Sequence, residues 1–136
     1  MIKITSYINA SIENVWKKWT TPEHICNWNF AGEDWHCPVA RIDLVVGGSF
    51  TFIMAARDAS FQFDFEGTYT EVIAQSRINI LLADGRLWNT TFEEVEGGVK
   101  VTEEFDPENE NPEDMQRTGW QMILDRFKNY VESANS

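Results

Sequence analysis

Both histidines and both cysteines of the 136-residue chain fall within residues 24–37, HICNWNFAGEDWHC. Imidazole and thiolate groups are zinc ligands, and paired thiols are disulfide partners. The spacing tells against both uses. If residues 22–28 are helical, His24 and Cys26 stand two apart and point to different sides. His36 and Cys37 are adjacent and, if extended, point to opposite faces. Neither pair has the spacing of a zinc clasp. No metal site and no Cys26–Cys37 bridge is therefore expected. No Ser-His-Asp pattern and no carboxylate pair at glycosidase spacing is visible, so no catalytic residue is assigned. Gly47-Gly48 lacks the Lys-Ser/Thr of a phosphate loop and the dinucleotide fingerprint, so no cofactor is expected.

Two carboxylates raise a different chemistry. Glu103 falls on the inward parity of its strand, between Val101 and Phe105, and Glu71 lies two residues beyond Tyr69. A carboxyl inside an apolar cavity has a perturbed proton affinity and could anchor a ligand or act as an acid or base. The plainer and preferred reading puts both at strand ends, in solvent. Arg41, Arg57 and Arg86 near strand ends could hold an anionic head; solvated or ion-paired roles are the simpler alternative.

These groups must be held by a pattern of short elements. IKITSYI alternates as a strand does. Ser11 then caps a helix whose Ile12, Val15, Trp16 and Trp19 share a face. Thr21 and Pro22 start a second short helix. ARIDLVV and SFTFIMAA flank Gly47-Gly48 as a hairpin. FQFDFEGTYTEVI sets Phe61, Phe63, Phe65, Gly67 and Tyr69 on one face. RINILLA, RLWNTTFEEV and VKVTEEF follow, with turns at Asp84-Gly85 and Gly97-Gly98. A long helix closes the chain, with Asn111 as cap and Pro112 as its first residue. Trp120, Ile123, Leu124, Phe127 and Val131 form its apolar stripe. Gly119, a poor helix former, suggests close approach to something flat. The order is strand, two helices, about six strands, one long helix. A curved antiparallel sheet must bury an aromatic face, and only the last helix is long enough to cover it, giving an α+β layer architecture.

Composition bounds the rest. The length suits a single domain over residues 1–136. The formal charge is −11, with no basic cluster to offset it. Nucleic acid and anionic membrane surfaces are thereby excluded as partners. No apolar run approaches membrane-spanning length, so no membrane insertion is expected. The N-terminal stretch does not read as an export signal, and two cysteines then suit free thiols in the cytoplasm.

In this order the sequence resembles the helix-grip fold of the START/Bet v 1-like (SRPBCC) superfamily. Within it, the sequence is similar to the heat-shock protein 90 ATPase activator homologue-like family. ASIENVWKKWTTPEHICNW resembles the family's opening helix pair, and DLVVGGSFTF its first hairpin. FEGTYTEVIAQSRI resembles its central strand and turn, and TGWQMILDRFKNYV the Gly-Trp start and stripe of its last helix. The resemblance covers essentially the whole chain. It implies a curved antiparallel sheet wrapped around a long C-terminal α-helix, two short helices after the first strand, and a cavity between sheet and helix.

The residues expected to line that cavity are Trp28, Trp35, Phe50, Phe52, Phe63, Phe65, Tyr69, Trp88, Phe92, Glu103, Trp120, Leu124 and Phe127. Trp28 and Trp35 are expected near its entrance, with residues 24–37 as a lid and His36 as a polar contact. Plain core packing of the aromatics is the alternative. The function expected is binding of a hydrophobic or amphipathic small molecule, more readily than catalysis. Two rivals stay open: an enzyme using Glu103 or His36 in the same cavity, and a co-chaperone-like module acting on a heat-shock protein 90 type ATPase. A homodimer through an exposed aromatic patch is a further expectation.

Overall fold

The computed structural model describes residues 1–134. Strand β1 (Ile2–Ile8) is followed by α1 (Ile12–Thr20) and α2 (Pro22–Trp28). Six strands follow: β2 (Trp35–Ile42), β3 (Ser49–Ala56), β4 (Gln62–Ile73), β5 (Arg77–Leu82), β6 (Leu87–Val95) and β7 (Gly98–Phe105). Helix α3 (Glu113–Ala134) closes the chain. The strands form one sheet in the order β1-β7-β6-β5-β4-β3-β2. Every pairing is antiparallel. This is the expected α+β helix-grip architecture.

Local sequence chemistry accounts for the start of α1, and only in part for the starts of α2 and α3. The Ser11 side chain accepts a hydrogen bond from the Asn14 backbone N–H at 3.2 Å, satisfying one orphan donor of α1. Pro22 opens α2, but Thr21 caps it without a side-chain hydrogen bond. Asn111 does not cap α3. Its side-chain amide donates to Glu108 at 2.9 Å, and the first helical carbonyl is that of Pro112, which accepts from Gln116.

The first hairpin departs from expectation. Trp35 begins β2 rather than sitting in a loop, and β2 ends at Ile42, so residues 43–48 form a longer connection. Gly47 has φ +87°, the left-handed region glycine tolerates. Gly48 serves another need: a Cβ there would lie 2.1 Å from the Asp43 carbonyl oxygen. Only glycine lets the two backbones approach so closely.

A bulge between Tyr69 and Glu71 breaks the alternation of β4. Val72 then pairs with buried Ile78, and Glu71 with Asn79. Glu71 is thereby moved off the inward parity. It accepts from Asn79 at 3.2 Å and faces Arg77 at 3.7 Å, half-exposed. The solvent reading of Glu71 holds.

Leu124, Phe127 and Val131 of α3 are fully buried against the sheet. Each such side chain contributes about 1.5–3 kcal/mol of apolar transfer free energy. Lys128 Nζ donates to the Tyr7 carbonyl at 2.6 Å, and the Asn9 N–H donates to Glu132 at 2.9 Å, tying α3 to β1. Gly119 has no role in close packing: a Cβ there would meet nothing within 4 Å.

Candidate functional site

A cavity of about 720 Å³ opens between the sheet and the first half of α3. Seven aromatic rings line it: Trp19, Trp28, Phe61, Phe63, Phe65, Trp88 and Trp120. Asn29, Met54 and Ile123 add to the wall, and Glu103 is its buried carboxyl. Asp84 and Arg86 from the β5–β6 turn, and residues 108–111 before α3, form the rim.

Sheet register delivers the polar centre. Glu103 on β7 pairs with Thr90 of β6 and with Ile4 of β1, all three buried. Glu103 is 3% exposed, so the strand-end reading fails for it. Strands flank it on both sides, and β7 runs two residues further, to Phe105. Its Oε2 accepts a hydrogen bond from the Trp88 indole N–H at 2.8 Å. Burial pushes its proton affinity up to a pKa of about 8, against a smaller opposite pull from that N–H. At neutral pH the group is therefore mostly an uncharged acid, able to donate as well as accept.

The ring bonded to this carboxyl packs against two others. Trp88 and Trp120 have centroids 5.3 Å apart at 85°, Phe65 and Trp88 5.7 Å, and Phe65 and Trp120 6.2 Å. Phe105 stacks on Trp120 at 3.8 Å and holds it in place. The rim is fixed by polar contacts. Gln116 donates to the carbonyls of Glu108 and Asn111 at 3.0 and 2.8 Å, and Arg86 is paired with Asp84 at 2.7 Å.

Of the residues expected at the cavity, Trp28, Phe63, Phe65, Trp88, Glu103 and Trp120 line it. The other expected residues are elsewhere. Phe50, Phe52, Tyr69, Phe92, Leu124 and Phe127 are buried in the core. Their parity is right, but their distance along the strands and helix places them beyond the cavity. Trp28 is not at an entrance. It is 4% exposed, donates to the Lys18 carbonyl at 3.0 Å, and packs on Trp19 and Phe127 at 4.9 and 4.7 Å. Trp35 is half-buried outside the lining, against Phe61 and Phe63 at 6.1 Å. His36 is absent from the lining and pairs with Ala55 on β3.

The lining residues not anticipated are Trp19, Asn29, Met54, Phe61, Ile123, Gln116 and the rim. Four carried a signal: Trp19 and Ile123 lie on the apolar faces of their helices. Phe61 shares parity with Phe63 and Phe65, and Gln116 lies one helical turn before Trp120. The rim residues carried none, because two distant loops meet there only after folding.

The histidines and cysteines resolve separately. His24 Nδ1 lies 2.6 Å from the Tyr130 hydroxyl, linking α2 to α3. Burial, with Lys18 and Lys17 nearby, lowers its proton affinity. Cys26 and Cys37 are free thiols, brought within hydrogen-bonding reach of each other by the packing of α2 on β2. Burial pushes the Cys37 thiol up to about 12. Among the described residues, no three His, Cys, Asp or Glu side chains gather as metal ligands. Nor is any helix among them long and apolar enough to cross a membrane.

A curled seven-stranded antiparallel sheet gripping a long C-terminal helix, with an aromatic cavity between them, defines a helix-grip protein. The sequence places it more narrowly. Residues 9–132 match the family described as Activator of Hsp90 ATPase homolog 1-like protein, and the chain belongs to that family. The solution structure of an AHSA1-like protein from Aeromonas hydrophila is similar at 46% identity and TM-score 0.93, covering 98% of this chain and 93% of that one. Chr148 from Cytophaga hutchinsonii is similar at 42% identity and TM-score 0.85, over 98% and 92% of the two chains. Protein NE0264 from Nitrosomonas europaea shares the fold at 19% identity and TM-score 0.83, over 98% and 95%. No curated protein matches the sequence.

Proposed function

We propose that this protein binds a hydrophobic or amphipathic small molecule in the cavity between sheet and α3. The observation that carries the reading is the cavity itself: about 720 Å³, seven aromatic rings, and one buried carboxyl. That volume lies within the range of small-molecule sites, and an apolar wall with few polar groups suits such ligands. Aromatic walls bury large ligand area, and a single polar group sets orientation.

Titration with a neutral fluorescent probe, N-phenyl-1-naphthylamine, tests this. Saturable one-to-one binding is expected, with shifts of the Trp88 and Trp28 indole N–H resonances. Ile123→Trp, which fills the cavity from α3, should weaken it at least tenfold. Absence of saturable binding, or binding indifferent to that substitution, refutes the reading. Mass spectrometry of native protein from its own cell would then identify the ligand.

The family's description supports a second reading, action on a heat-shock protein 90 type ATPase. The −11 charge would serve such contact with a basic surface. Salt-sensitive stimulation of a purified chaperone ATPase, unaffected by Ile123→Trp, would favour this second reading.

A further inference from the structure

The charges around the cavity are one-sided. Its titratable lining groups are Glu103 inside and Asp84, Arg86, Glu108 and Glu110 at the rim. The one lining cation among the described residues, Arg86, is held by Asp84 at 2.7 Å. No positive group is left to receive a carboxylate or phosphate head. The field of the whole chain, at −11, points the same way.

The interior adds a second, independent observation. Phe65, Trp88 and Trp120 are mutual neighbours, with centroids 5.3–6.2 Å apart, and all three line the cavity. Glu103 accepts from one of them through Oε2, and among the described residues no hydrogen bond engages its Oε1. Aromatic faces attract cations through their quadrupole, more strongly when water is excluded. Rings at mutual angles of 45°, 78° and 85° beside a carboxyl form a pocket for a compact positive head.

We propose that the ligand of this cavity is a cationic amphiphile, an alkyl or aryl amine whose ammonium group sits against Glu103 among Phe65, Trp88 and Trp120. This rests on the ligand-binding reading above and narrows its ligand class. The strands beside Glu103 place only Ile4 and Thr90 opposite it, and α3 lines the cavity with Gln116, Trp120 and Ile123, none of them charged. The carboxyl is therefore protonated in the empty cavity and gives its proton to the buffer as the ammonium arrives. One ammonium–carboxylate pair forms for each proton released.

The test uses a matched series, octylamine, octanol and octanoate, displacing N-phenyl-1-naphthylamine from the intact protein. A primary alkylamine is charged well above neutral pH, as lysine is. Octylamine should bind at least tenfold more tightly than octanol, and octanoate least. Calorimetry in phosphate and in Tris should show close to one proton released per octylamine. Affinity should fall about tenfold from pH 7 to pH 6 as the carboxyl becomes harder to ionise. Glu103→Gln should abolish proton release and bring octylamine level with octanol. Octanol or octanoate binding as tightly as octylamine overturns the amine assignment while ligand binding stands. A probe that fails to bind at all removes both.

Discussion

A carboxyl held neutral by burial makes folding stability depend on pH in a calculable way. Glu103 has a pKa of about 8 in the folded protein against 4.5 for an ordinary glutamate. Between those values the unfolded chain has lost the proton and the folded chain keeps it, so stability falls as pH rises. Below the ordinary value both states are protonated and the penalty vanishes. Glu103→Gln keeps an acceptor for the Trp88 N–H and carries no charge at any pH. Relative to that variant, the wild type should lose roughly 3 kcal/mol of stability between about pH 5 and pH 8. The assay is urea unfolding followed by tryptophan fluorescence for both proteins at both pH values. Every other titrating group is common to the two chains and cancels in the double difference. Variant and wild type should be close at pH 5, with the variant clearly more stable at pH 8. Parallel profiles would show that Glu103 is not held neutral, and a wild type that gains on raising pH would mean a positive partner stabilises the carboxylate.

Other expectations follow from single contacts. Phe127 is fully buried between Trp19 and Trp28, at 4.8 and 4.7 Å, so Phe127→Ala should cost about 3–5 kcal/mol in denaturant unfolding. Gly119→Ala should stabilise by about 1 kcal/mol, since its Cβ enters open space within a helix. Gly48→Ala should instead destabilise, because its Cβ would lie 2.1 Å from the Asp43 carbonyl oxygen; equal melting temperatures for these two variants would refute both accounts. His24 should titrate below an ordinary imidazole by NMR, and its neutral-state contribution should be lost as pH falls through the ordinary imidazole value. An ordinary midpoint would refute the burial argument.

Much of the fold was legible because the signals are local. Alternation along 61–69 placed Phe65 and Tyr69 inward, and the 120–131 stripe placed Leu124 and Phe127 on the buried face of α3. The misreadings came from single-residue events. One extra residue in β4 turned Glu71 aside, and the tight approach of Gly48 to Asp43 ended β2 early. Parity also could not separate cavity from core. Phe52 and Phe65 are cross-strand partners on one face, yet Phe65 lines the cavity and Phe52 is packed in the core.

The sequence by itself determined the element order, the amphipathic faces and the family, because each rests on spacing between near neighbours. Tertiary structure alone decided where empty space remains. That depends on how far α3 stands from the sheet at each turn, and on the meeting of the 84–86 turn with the 108–111 loop. It also decided the state of Glu103. The strand period could aim this carboxyl inward, but only the closure of β1, β6 and α3 around it removes the water and changes its charge.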